Sequence, residues 1–136
     1  MEPKQRYWQE LAAAKPELER VRLDQLVELL ISNGEELLEA EPCEVMGDLR
    51  LLEHALTQLI INARMHGKGI RRVRVLEGRV EIHDRGPGLA TPERWLRAGE
   101  GGRLGGLALV HTLVAKHGGT LSLAPIVCVQ LPVLGG

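Results

Sequence analysis

Apolar residues recur at intervals of three and four over long stretches of this chain, and at intervals of two over several short ones. From Asp48 onward, Leu52, Ala55, Leu56, Leu59, Ile60 and Ala63 build one apolar stripe. That spacing predicts a helix, and Gly67-Lys68-Gly69 stops it. Leu107–His117 repeats the pattern and Gly118-Gly119 closes it. Nearer the start, Tyr7, Trp8, Leu11 and Ala12 are helically spaced within Pro3–Leu18, a stretch interrupted at Lys15-Pro16. Leu26, Val27, Leu29, Leu30 and Ile31 predict a further helix with Asp24 as its N-cap. Because Glu35–Ala40 also reads as helical, this helix is expected to pass through Asn33-Gly34 and to end before Pro42.

Alternating patterns predict strands at Arg20–Leu23, Cys43–Met46, Thr120–Leu123 and Val127–Leu131. Ile70–Leu76 and Arg79–His83 alternate on either side of Glu77-Gly78 and predict a hairpin. Asp84-Arg85-Gly86-Pro87-Gly88 cannot extend a strand and reads as a tight loop. Residues 89–103 are polar and punctuated by glycine, with Trp95-Leu96 their one apolar anchor. Helices and strands mix without regular βαβ alternation, so the expected class is α+β, two layers with the helices on one face of a sheet.

Composition narrows the picture. The chain has 136 residues, enough for one domain, and is 44% hydrophobic and 26% charged. It contains no Phe, so the core must be aliphatic. A net charge of −1 argues against a nucleic-acid or anionic-membrane binder. No apolar run approaches the roughly 20 residues of a membrane span, and the polar start is unlike a signal peptide. Cys43 and Cys128 have no metal-type spacing and form no disulfide framework, which points to a reduced, cytoplasmic setting.

Three segments carry candidate chemistry. Gln58, Asn62 and His66 stand four apart and share one flank of the 48–66 helix, beside its apolar stripe. An amide oxygen there suits a hard cation, although half-solvated flank residues have the same spacing. Asp84-x-Gly86-x-Gly88 ends a strand with a carboxylate and two glycines, which suits close approach of a flat ligand or an ordinary turn. Gly99, Gly101, Gly102, Gly105 and Gly106 lead into the 107–117 helix, where free N–H groups and the helix dipole favour an anion. The spacing fits neither a P-loop nor a Rossmann fingerprint.

In this order, the three segments resemble the GHKL ATPases, and most of all the ATP-binding catalytic domain of bacterial sensor histidine kinases. Leu59-Ile60-Ile61-Asn62-Ala63 resembles the N box of that family. His83–Leu89 resembles its G1 box and Gly102–Val110 its G2 box. Val114–Gly119 and Gln130-Leu131-Pro132 resemble its C-terminal half, so the likeness extends over about residues 20–133. Gln58 stands where the family carries its first N-box Asn, and Met65 where it carries a basic residue, with Arg64 next door. Leu104-Gly105 is transposed relative to the usual G2 order, and Trp95 is the one aromatic residue in a short lid.

The resemblance implies the Bergerat fold, a two-layer α/β sandwich, over residues 20–136, with residues 1–19 as a helical tail or cap. It implies ATP and Mg²⁺ as ligands. Asp84 would receive the adenine amino group, Gly86 and Gly88 would let the backbone close on the purine, and Asn62 would hold the metal with help from Gln58. Gly102, Arg103, Gly105, Gly106 and Leu107 would wrap the phosphates, with Arg64 and His66 nearby. The implied partners are a histidine-bearing dimerisation domain and, beyond it, a response regulator. His54 follows Glu53 as phosphoacceptor histidines follow an acid, but it lies inside the N-box helix and is read as structural. An anti-sigma-factor-type serine kinase and a non-catalytic GHKL-like binding module are the alternatives.

Overall fold

Glu77 and Gly78 both take positive φ, 51° and 78°, which is the backbone of a two-residue turn that matches the twist of a hairpin. Around that turn the computed structural model builds its sheet. It describes residues 2–31, 37–66, 69–85, 106–123 and 125–134. In chain order the elements are α1 (Pro3–Ala13), β1 (Glu19–Arg22), α2 (Leu23–Ile31), β2 (Leu37–Ala40), β3 (Glu44–Gly47), α3 (Leu49–His66), β4 (Ile70–Leu76), β5 (Arg79–Asp84), α4 (Gly106–Lys116), β6 (Thr120–Ser122) and β7 (Val127–Gln130).

Five strands pair in the order β2-β4-β5-β7-β6, with β2 parallel to β4 and the other pairs antiparallel. β1 and β3 form a separate antiparallel ribbon, joined to the C-terminal segment by a bridge between Val45 and Val133. The sheet is therefore mixed, and its two faces differ as period-two patterning requires. Val73, Val75, Val80, Ile82 and Val129 are buried against the helices. On the other face Glu81 pairs with Arg79 at 2.7 Å and with His83 at 3.0 Å, and Glu39 pairs with Arg74 at 3.3 Å.

The helical layer is held by α3, whose Leu51, Leu52, Ala55, Leu56, Leu59 and Ile60 are all buried. Asp48 caps it, Oδ1 accepting the Leu51 N–H at 3.2 Å while Oδ2 accepts the Glu17 N–H at 2.9 Å. The Asp48 N–H donates to His117 Nε2 at 3.0 Å, and His117 Nδ1–H donates to the Leu113 carbonyl at 2.7 Å. These bonds fix the neutral tautomer of His117 and tie the C-terminus of α4 to the N-terminus of α3. α1 adds Trp8 and Leu11 to the same core, and Lys116 Nζ donates to the Ala14 carbonyl just beyond its end. Among the described residues no helix is long and apolar enough to cross a membrane.

Two expectations fail at the N-terminal side. The helix expected to continue to Ala40 ends at Ile31, and Leu37–Ala40 is a strand paired with Leu37 opposite Arg72 and Ala40 opposite Val75. Helix propensity in Glu-Leu-Leu-Glu-Ala yields to backbone pairing along β4 and to the Glu39 ion pairs, both long-range. Nor is Asp24 an N-cap: α2 starts at Leu23, whose N–H donates to the Cys43 carbonyl. The Asp24 carboxylate instead accepts Arg22 Nε at 2.9 Å, Arg22 Nη2 at 2.8 Å and the Cys43 N–H at 3.2 Å.

Candidate nucleotide site

α3 ends, β4 begins, β5 ends and α4 begins at one end of the molecule. Three backbone relations bring them together. The Gly69 N–H donates to the Ala63 carbonyl at 3.3 Å, folding the chain back after the last turn of α3. The Arg85 N–H donates to the Gly69 carbonyl at 3.0 Å, and Asp84 lies in register with Ile70. The end of β5 is thus tied to the residue after Asn62, and the half-buried Asp84 and Asn62 belong to the same corner. Gly69 has φ 97°, which lets the chain make this reversal.

α4 runs antiparallel to α3, since His117 at its far end meets Asp48. Its first residue, Gly106, lies against Gln58: a Cβ at Gly106 would stand 2.9 Å from Gln58 Oε1 and 3.6 Å from Trp8 Cη2. Gln58 and Asn62 are one turn apart on α3, about 6 Å along the axis. The start of α4 therefore lies one turn from Asn62.

Of the residues singled out from the sequence, Gln58, Asn62, Asp84 and Gly106 are gathered at this corner. Arg64 is exposed on the last turn of α3, and Leu107 is buried in the core. Gly86, Gly88, Trp95, Gly102, Arg103 and Gly105 lie outside the described residues, as does the side chain of His66. His54 is half-buried in T-shaped contact with Tyr7 and Trp8, with ring centroids 5.8 and 6.2 Å away. Burial pushes its pKa down, and its Nε2 has no hydrogen-bond partner, so it is a neutral packing group. The contact of Trp8 with Gly106, 98 positions along the chain, had no signal in the sequence, because nothing local links the two.

The donor set at this corner is of hard oxygen atoms: the amides of Asn62 and Gln58 and the carboxylate of Asp84. Among the described residues no three His, Cys, Asp or Glu side chains converge as a metal cluster. A divalent ion held here would rest on amide, phosphate and water oxygens, which is how Mg²⁺ is commonly bound. A different cleft, of about 810 Å³, lies at the opposite end of α3 between Lys15, Glu17, Glu19, Asp48, Arg50 and Glu53. It contains none of these residues.

Comparison with known proteins bears on the family and the fold. Signal transduction histidine-protein kinase/phosphatase MprB of Mycolicibacterium vanbaalenii is 35% identical over an alignment of 98 residues, covering 59% of this chain and 20% of that protein. The chain thus spans about a fifth of that relative. The mycobacterial sensor histidine kinase MprB structure superposes with a TM-score of 0.64 at 27% identity, covering 85% of this chain and 97% of that one. The ATP binding domain of PrrB from Mycobacterium tuberculosis gives 0.64 at 24% identity, covering 86% and 98%. The mixed sheet with one helical layer is thereby the two-layer sandwich of GHKL catalytic domains. Residues 47–133, more than half of the sequence, match one family throughout, and the chain belongs to it: the histidine kinase-, DNA gyrase B- and HSP90-like ATPases.

Proposed function

We propose that this chain is the Mg·ATP-binding catalytic domain of a sensor histidine kinase, which donates the ATP γ-phosphoryl group to a histidine on a dimerisation domain of the same or another chain. The observation that carries the reading is the meeting of Asn62, Asp84 and the start of α4 at one corner. Asp84, held half-buried at the end of β5, accepts the exocyclic amino group of adenine in a charge-assisted bond. Asn62 would present its amide oxygen to Mg²⁺, which would supply charge neutralisation at the phosphates. The N–H groups at the start of α4, with Gly102, Arg103 and Gly105 ahead of it, receive the phosphate tail, and Arg64 and His66 lie at the same end of α3.

Phosphoryl transfer requires positioning and charge stabilisation more than covalent chemistry from the protein, so this chain needs no nucleophile of its own. Hydrolytic members of the superfamily resemble one another in carrying a Glu four residues before the metal Asn. Gln58 stands there and is no base at neutral pH, which favours transfer over hydrolysis. The histidine acceptor then passes the phosphoryl group to a response regulator, as in two-component signalling in the cytoplasm. Residues 1–19 are the segment that precedes the ATP-binding unit of residues 20–136.

Incubation with labelled ATP, Mg²⁺ and a histidine-bearing dimerisation domain tests this. The expected product carries acid-labile label on that domain, and Asp84→Asn abolishes both nucleotide binding and transfer. Acid-stable label would instead identify a serine kinase. No binding at millimolar nucleotide would leave only a non-catalytic module.

A further inference from the structure

Gly106 is the point at which three helices meet. Its missing side chain leaves room for the amide of Gln58 from α3, and the indole tip of Trp8 from α1 stands 3.6 Å from where a Cβ would be. Trp8 is 7% exposed, with Lys4 Nζ 4.6 Å from its ring centroid and His54 in T-shaped contact with it. α1 is anchored again at its far end, where Lys116 holds the Ala14 carbonyl at 2.9 Å and Asp48 holds the Glu17 N–H. It therefore lies along the helical layer from the start of α4 to its end. All of α1 is outside the 47–133 stretch that matches the ATPase family.

We propose that Trp8 is a positioning residue for the phosphate end of the nucleotide site, acting through Gly106, so that the seating of α1 sets the affinity for the triphosphate. The inference rests on the nucleotide reading given above. Hydrogen bonds to phosphate from a helix start depend on where the first turn lies. Among the described residues, the Gln58 amide and the indole tip are the groups nearest to the Cβ side of Gly106. Removing the indole opens a void under the first turn of α4, and the turn relaxes into it. The adenine end, built by Asp84, is carried by β5 and not by the first turn of α4, so it keeps its geometry. Loss therefore falls on phosphate recognition alone. A segment that pulls α1 off the helical layer would weaken ATP binding without touching any nucleotide ligand.

Competition against a fluorescent ATP analogue, in the full chain with Mg²⁺, gives affinities for ATP and AMP separately. Trp8→Ala is expected to lower ATP affinity roughly five-fold or more, within the usual range for coupling between sites, and to leave AMP affinity unchanged. Trp8→Phe restores most of the ATP-over-AMP preference. Leu11→Ala, buried in the same helix away from Gly106, lowers stability and keeps the preference intact. If Trp8→Ala fails to fold, Trp8→Leu carries the same measurement. Equal loss for ATP and AMP, or no loss for either, overturns the inference. A wild-type chain that binds ATP with the preference unmoved by these changes sinks this inference alone, whereas a wild-type chain that binds no nucleotide sinks it together with the reading beneath it.

Discussion

At the residue scale, His117 shows how much one side chain can be asked to hold. Its ring accepts the Asp48 N–H and donates to the Leu113 carbonyl, and it is 9% exposed. The end of α4 and the start of α3 are joined through that imidazole. His117→Ala leaves a buried N–H at the start of α3 without a partner and a void beside it. The expected cost is about 2–3 kcal/mol, read as a lower urea midpoint with an unchanged denaturant slope. His117 was legible in the sequence only as part of a resemblance to the Val114–Gly119 segment. Its use as a tie between helices was not, because Asp48 is 69 positions away. Asp84 and Asn62, by contrast, were legible: a carboxylate at a strand exit and an amide on a helix flank are local patterns.

At the element scale, alternating residues on both sides of Glu77-Gly78 made the hairpin legible, except that the register shifts between Ile70 and Arg72 and that Asp84, expected in the loop, ends β5 in pairing with Ile70. Gly78 carries the strictest requirement, with φ 78° and the Leu131 carbonyl where a Cβ would be. Gly78→Ala combines strain with a backbone clash and is expected to cost about 2 kcal/mol or more. Thermal unfolding is the measurement, and an unchanged Tm would show that the turn had re-formed another way. β2 was not legible. Its four residues have helical propensity, one edge and no alternation, and their conformation is decided by β4, more than thirty positions on. The same held for Asp24, where a local capping pattern lost to an ion pair with Arg22 and the Cys43 N–H.

At the scale of the whole molecule, three carboxylates tie separate regions together, and each is more acidic in the fold than alone. The hydrogen bond from Arg22 holds Asp24 low against the opposing effect of burial. Burial pushes Asp48 up, but the N–H groups of Glu17 and Leu51 outweigh it and the net shift is down. His83 lowers Glu81, burial opposes it, and Arg79 and Arg74 add to the lowering. Since the folded values lie below the unfolded ones, the unfolded chain binds more protons in this range, and stability rises with pH. The contribution is complete above the ordinary carboxylate range, about pH 5, and is lost as pH falls through the lowered folded values. Urea midpoints measured from pH 6 to pH 3 should therefore fall steeply at the acid end, and Asp24→Asn should make that fall shallower. A midpoint flat across the range contradicts the assignment.

What the sequence determined by itself was whatever depends on neighbours a few positions apart: the periods of α3 and α4, the hairpin, the glycine stops, and the residue types that could meet a nucleotide. Those follow from backbone geometry repeated every two or 3.6 residues. Tertiary structure alone decided the identity of β2, the bonds of Asp24, the tie between Asp48 and His117, and the placing of Trp8 under the start of α4. Each of these is a contact between segments far apart in the chain. Its energy comes from burial and pairing that no local window contains, so it exists only once the helices have come to rest on the sheet.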